Sequence, residues 1–162
     1  MAIGDPTLGD FEGFVTNYMG VPSTAMNPAT SPYVPWAYNY ALQIVNQALQ
    51  CVPGVNGAWS VYALAVYNLA ADTLVNIAQD ASGAPIYQNN LPYWQWLRGQ
   101  YGVLSFTPGV VSSSSDEGTS TSYTVPRTFE NYTIANLNQL KTPYGRQYLG
   151  LASSWGTVWG LS

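Results

Sequence analysis

Histidine, the side chain that most readily exchanges protons near neutral pH, is absent from this sequence. Ser-His-Asp and Cys-His arrangements are therefore excluded. Two carboxylate pairs, Asp10 with Glu12 and Asp116 with Glu117, are of the kind that performs general acid and base chemistry in glycoside hydrolysis. Each lies in a terminal or low-complexity stretch rather than on a rigid element, so solvated surface charge is the reading they favour. Cys51 is the only cysteine. With apolar neighbours it reads as a buried, inert thiol, and no disulfide can form within the chain. One cysteine, no histidine and scattered acids offer neither zinc spacing nor a calcium loop. The phosphate-cradling patterns G-x-x-x-x-G-K-[ST] and G-x-G-x-x-G do not occur. No catalytic residue, metal ligand or cofactor is expected. Asn131-Tyr132-Thr133 spells a glycosylation sequon, but the opening Met-Ala-Ile-Gly-Asp-Pro has no basic and apolar leader pattern, so cytoplasmic synthesis is expected.

The elements that would position any site come from a chain of 162 residues, 47% apolar, read as one domain over 1–162. Only 7% of residues are charged, against roughly 25% in an average soluble domain. The surface must be built from Asn, Gln, Ser and Thr, together with thirteen Tyr and six Trp, residues suited to boundaries that are partly wet and partly packed. Such aromatics are enriched at protein interfaces. Four basic residues, Arg98, Arg127, Lys141 and Arg146, cannot supply the phosphate-neutralising patch that nucleic-acid binding needs. The net charge of -4 fits a channel through which DNA slides without sticking, and equally an ordinary protein surface.

Leu8, Phe11, Phe14, Val15 and Tyr18 fall at helical spacing, with Thr7 as a cap. The next stretch holds Pro22, Pro28, Pro32 and Pro35 and reads as a loop. Helical spacing returns from Trp36 to Gln50, with Tyr40, Ile44, Ala48 and Cys51 on the apolar side, and Pro53-Gly54 ends it. Ala58 to Ala78 is the longest apolar run. Asn68, Asp72 and Asn76 recur every four residues along it, a polar stripe that lipid would leave unsatisfied, so a core helix is expected and not a membrane span.

Leu91 to Gly102 reads as a short aromatic helix with Leu91, Trp94, Leu97 and Tyr101 clustered. Exposed Trp and Tyr faces there also suit a sugar-stacking module, though packing is the favoured reading. Between Val103 and Pro126 the chain becomes low in complexity. Gly109–Val111 and Ser122–Val125 are expected to pair as hairpin strands around a flexible tip at Ser112–Gly118. Residues 129–140 read as a short helix. Thr142 followed by Pro143 is an N-cap with proline at the first helical position, opening a helix that carries Tyr144, Gln147, Tyr148 and Leu151. Beyond Ala152, Trp155, Val158, Trp159 and Leu161 are costly to leave in water, so the tail either folds back or is received by a partner.

The ten residues Thr142-Pro143-Tyr144-Gly145-Arg146-Gln147-Tyr148-Leu149-Gly150-Leu151 resemble a T-P-Y-G-x-x-Y-L-x-L motif of the head-tail adaptor (head-completion) proteins of tailed bacteriophages. The order of segments is also similar: an L-x-x-F start at Leu8–Phe11, a central Ala/Leu-rich helix at Val61–Ala78 and a Gly/Ser/Thr/Val-rich stretch at Gly109–Tyr123. The Pro-rich stretch from Val21 to Pro35 and the two-Trp tail depart from the family pattern. The resemblance implies a mainly α fold, a small helical bundle with a protruding β-hairpin or long loop (the arm, about 103–127) and a C-terminal helix and tail at 142–162. It implies a homo-oligomeric ring in the virion that binds the portal protein and the next neck or tail protein. Genome DNA would pass through without specific binding, and neither catalysis nor a membrane is involved. Partner-binding residues on this reading are Val111, Tyr123, Tyr144, Arg146, Tyr148, Trp155, Val158 and Trp159. An aromatic-rich carbohydrate- or surface-binding module of a virion is the alternative, with a glycosidase-like enzyme third.

Overall fold

The computed structural model describes residues 5–26, 32–52, 59–104, 113–116, 119–122 and 138–154. These form helices α1 (Leu8–Asn17), α2 (Tyr33–Ile44), α3 (Val61–Ile77), α4 (Tyr93–Gln100) and α5 (Pro143–Ser154), so the fold is mainly helical. Short 3-10 turns lie at Ser23–Ala25 and Gln47–Cys51.

Helix α3 is the axis of the bundle. The Ser60 hydroxyl caps it by accepting from the Ala63 N–H at 3.1 Å, and the apolar residues that follow are buried nearly all round. The other four helices all pack against it, α2 and α5 most extensively, so most of α3 is buried and Asn76 near its end is exposed. The expected polar stripe is present. The Asn68 and Asn76 amides each donate to the carbonyl four residues back, Leu64 and Asp72, at 2.8 Å, which satisfies those donors without a neighbour. The Arg98 guanidinium donates to the carbonyls of Val75 and Ala78 at the other end of α3, where the helix leaves carbonyls unpaired and partial negative charge accumulates. Among the described residues no helix is long and apolar enough to cross a membrane.

In α1 the Thr7 hydroxyl accepts from the Asp10 N–H at 3.1 Å, and Phe11, Phe14 and Val15 are buried as their spacing predicts. Phe11 stacks on Tyr38 and Tyr67, both at 5.9 Å between ring centroids. Those tyrosines also hold the start of α1: the Tyr38 hydroxyl donates to the Pro6 carbonyl at 2.7 Å and the Thr7 N–H donates to the Tyr67 hydroxyl at 3.1 Å. Burial pushes the Tyr67 phenol up to about 12, so these contacts stay neutral across the physiological range.

Helix α2 departs from expectation in two ways. It begins at Tyr33, inside the stretch read as a loop, because Pro35 sits in the first turn, where a missing N–H removes no helical bond. It also ends at Ile44: the chain extends at Val45, and the Asn46 side chain caps a separate 3-10 turn by accepting from the Ala48 N–H at 2.9 Å. The buried face is Val34, Ala37, Tyr38 and Ala41, while Tyr40, Ile44 and Ala48, assigned to the core side from the sequence, are exposed. Both faces of α2 are apolar, and spacing alone cannot rank them.

The strands β1 (Ser113–Asp116) and β2 (Thr119–Ser122) pair antiparallel, with Ser113 opposite Ser122 and Asp116 opposite Thr119. The pairing therefore runs through Ser113–Asp116, read from the sequence as part of a flexible tip. Three expectations fall outside the described residues: strands at Gly109–Val111 and Tyr123–Val125, the short helix at 129–140 up to residue 137, and the fate of the tail from Trp155.

Phe11→Ala is expected to cost about 3–5 kcal/mol, whereas Ile44→Ser on the exposed side of α2 should change stability by no more than about 0.5 kcal/mol. Urea unfolding of the two variants beside the parent chain reads both.

Candidate functional site

The residues with the most specific pattern, Thr142 to Leu151, form α5 and its cap. The Thr142 hydroxyl is fully buried and does two jobs: it accepts from the Gly145 N–H at 3.0 Å and donates to Asp72 Oδ1 on α3 at 2.5 Å. Pro143 occupies the first turn, where its lack of an N–H costs nothing. Gly145 is required by contact: a Cβ there would lie 1.9 Å from the Gln139 carbonyl oxygen and 2.8 Å from Asp72 Oδ1. The Tyr144 ring meets Phe14 and Tyr101 edge-on, at 6.3 and 6.5 Å, and so ties α5 to α1 and to the end of α4. Arg146 turns back and donates to the Leu140 carbonyl at 2.9 Å. Tyr148 and Leu149 are buried, and burial raises the Tyr148 phenol to about 12, with the Tyr40 phenol on α2 adding to the shift. Helix formation, capping and docking on α3 together account for nearly every position of the motif.

Asp72 is the one buried acid of this node. Burial raises its carboxyl from the ordinary 3.8 to about 6, against the opposing pull of the Thr142 hydroxyl and the Lys141 charge. The carboxyl therefore changes charge within the mildly acidic range while still serving as the acceptor for Thr142.

Large apolar side chains are exposed elsewhere, Tyr18 and Leu104 singly and the others in two groups. Trp36 and Tyr40 stack face to face on α2, 5.7 Å apart and 13° from parallel, and with Ile44 they make a ladder at every fourth residue, exposed by 53%, 42% and 51%. No charged residue occurs from Tyr33 to Val52. A second apolar feature precedes α4. Asn89 and Asn90 take left-handed φ of 53° and 59° in a two-residue turn closed by a bridge between Gln88 and Leu91, a turn in which asparagine is favoured. This turn holds out Ile86, exposed by 69%, while the Tyr87 ring packs on Tyr93 and Trp96 at 5.0 and 4.9 Å. A cleft of about 400 Å³ opens beside it, lined by Pro22, Ala25, Asp80, Ile86, Tyr87 and Trp94 among others. The Asp80 carboxylate in its wall is already engaged, accepting from the N–H groups of Trp94 and Gln95 at 3.0 Å and capping α4 in place of Pro92.

Of the residues singled out from the sequence, Tyr144 is half-buried and Tyr148 buried within the chain's own core, while Arg146 is exposed. Val111, Tyr123, Trp155, Val158 and Trp159 lie outside the described residues, as does the side chain of Cys51. Tyr93, Trp94 and Leu97 are buried, so the aromatic helix packs inward. Asp10 is tied to its own cap, receiving the Thr7 hydroxyl proton at 2.7 Å. Among the described residues no cluster of acids or cysteine has the makings of a metal site. The α2 ladder and the Ile86 turn were missed at the sequence level. The signal for the ladder is a four-residue repeat of large apolar side chains in a segment whose intervening positions carry a second apolar face.

Gly145→Ala should destabilise the chain by about 3 kcal/mol or more, because backbone must move to admit the methyl group; a thermal melt in which the variant matches the parent would contradict the close approach. For Asp72 the folded state holds its proton more tightly than the unfolded chain, so its contribution is largest below pH about 4 and declines as pH rises to about 6, by roughly 3 kcal/mol. Asp72→Asn should remove that decline, which denaturant midpoints of parent and variant from pH 4 to 6.5 would reveal. Comparison with protein-family models, with curated protein sequences and with solved structures returns no match.

Proposed function

We propose that this chain is a structural, non-enzymatic virion subunit whose copies join in a ring between the capsid portal and the neck or tail of a tailed phage. The observation that carries the reading is the Trp36-Tyr40-Ile44 ladder, an exposed aromatic and aliphatic face on a helix and following turn with no charged residue from Tyr33 to Val52. Such a face is suited to protein association: interface cores are depleted in charge and enriched in Trp and Tyr. It offers nothing to a phosphate backbone, which fits a ring that lets DNA pass without holding it. The resemblance of Thr142–Leu151 to the adaptor motif supports the same assignment. In this reading the stretch with Val111 and Tyr123 is the arm, with β1 and β2 forming its protruding hairpin, and it reaches a neighbour. The tail with Trp155, Val158 and Trp159 attaches to the portal.

The stacked Trp36-Tyr40 pair favours one competing reading, because flat exposed aromatics also stack on sugar faces. A module of that kind works as a monomer, and its Trp fluorescence responds to ligand.

Co-sedimentation of the purified chain with portal complexes from the same source, followed by cryo-electron microscopy, separates the two. A ring at the tail-facing end of the portal is the expected result. No binding across several salt concentrations would remove the connector assignment and put the sugar- or surface-binding module first.

A further inference from the structure

Asp72 lies on α3 under the start of α5, in surroundings rich in hydrogen-bond acceptors. The Thr142 hydroxyl donates to its Oδ1. The Gln139 backbone carbonyl converges on the same point, since a Cβ at position 145 would meet that oxygen and Asp72 Oδ1 together. Asn68 is four residues before Asp72, one turn away on the same face of α3, and its amide already donates to the Leu64 carbonyl at 2.8 Å. Asn68 Oδ1, and Gln139 Oε1 in the segment leading into α5, are buried and receive no hydrogen bond among the described residues. An ionised carboxylate adds further acceptors to such a place, whereas a carboxylic acid adds a donor.

Charge does not offset this. Lys141, next to Thr142, is the ion that acts on the carboxyl, and its pull is weaker than the cost of burial. On α4 Arg98 is turned to the carbonyls of Val75 and Ala78. On α1 Asp10 is held by Thr7 and Glu12 is exposed, and α2 has no charged residue. On α5 Arg146 is exposed and donates to the Leu140 carbonyl, while burial raises the phenols of Tyr144 and Tyr148 and keeps them neutral.

Helix α5 is also placed to move alone. It is the last of the described helices, its buried residues are Gly145, Tyr148 and Leu149, and α1, α2 and α4 have their own contacts with α3. Elements with few buried side chains are the ones that open below the global unfolding free energy. We propose that α5 is a proton-linked latch, which seats on α3 while Asp72 carries a proton and lifts more often, as a unit and with the rest of the bundle intact, once Asp72 ionises. Lifting uncovers the carboxylate to water. A carboxyl that holds its proton more tightly when covered favours the covered state in acid, and that preference is lost as pH rises through about 6. The latch does not use the assembly reading, and it differs from a loss of overall stability because it confines the opening to one helix.

Hydrogen exchange of the full chain, followed at single amides by NMR from pH 4 to 7 and corrected for intrinsic exchange rates, tests this. The α5 amides should exchange before the α3 core amides. Their opening constant should rise about fiftyfold across that range, the ratio given by a carboxyl at 3.8 when uncovered and about 6 when covered. Asp72→Asn keeps an oxygen for Thr142 and supplies N–H donors in place of the acid proton, so its α5 amides should show one opening constant throughout. Common exchange of α5 and α3 amides at every pH would mean that the bundle opens only as a whole, and would overturn the latch. So would α5 protection in the parent that is flat with pH, or a pH dependence that survives in Asp72→Asn. Should that variant lose its thermal transition, the chemical shift of the parent's Asp72 carboxyl carbon decides: titration near 6 supports the latch and titration near 3.8 overturns it.

Discussion

The hydrogen bond from the Thr142 hydroxyl to the Asp72 carboxylate sets where the last described helix lies, and much of the molecule follows from it. A hydroxyl that is fully buried must find both a donor and an acceptor role, or the cost of its desolvation is uncompensated. Thr142 finds them at once, in the Gly145 N–H of its own helix and in an acid on α3, seventy residues away in sequence. At the same place a Cβ at position 145 would strike both the Gln139 carbonyl and the Asp72 carboxylate, so only glycine fits there. With α5 seated there, Tyr144 reaches Phe14 and Tyr101.

This arrangement separates structure from surface within one short motif. Capping, close backbone approach and burial explain Thr142, Pro143, Gly145, Tyr148 and Leu149, so the pattern that most resembles an adaptor family also builds the bundle. A charge-poor chain has few ion pairs with which to orient helices, and tyrosine hydroxyls take that part: Tyr38 and Tyr67 hold the start of α1 through hydrogen bonds to backbone. Outside, the few exposed charges include Asp5, Asp10, Glu12 and Arg146. The exposed large apolar side chains include the α2 ladder, Tyr18, Ile86 and Leu104.

Much of the helical fold was legible because amphipathic spacing and capping are local signals. Phe11, Phe14 and Val15 in α1, the Thr7 and Thr142 caps, and α3 as a core helix rather than a membrane span all follow from neighbours within four or five residues. Helix α2 was not legible in the same way. Ala37, Tyr38 and Ala41 compete with Trp36, Tyr40 and Ile44 for the core, and the choice between two apolar faces is made by packing against α3, which no local period reveals. Its start was hidden by Pro35, read as a breaker although proline is harmless in a first turn. The strands expected at the β-branched flanks lie outside the described residues, while Ser113–Asp116, read as part of a flexible tip, pairs with Thr119–Ser122 as β1 and β2. Of the candidate interface residues that the resemblance named, Tyr148 is buried and Tyr144 half-buried, and the exposed ladder escaped notice because it looked like core.

Asp72 and Thr142 act as one coupled anchor between α3 and α5. A double-mutant cycle with Asp72→Ala and Thr142→Val, read by urea unfolding at pH 7, tests it directly. The two substitutions should be strongly non-additive, with a coupling of about 1–3 kcal/mol, because either one alone removes the shared bond. Costs that add to within about 0.5 kcal/mol would mean that the two side chains act independently and that no shared bond anchors α5.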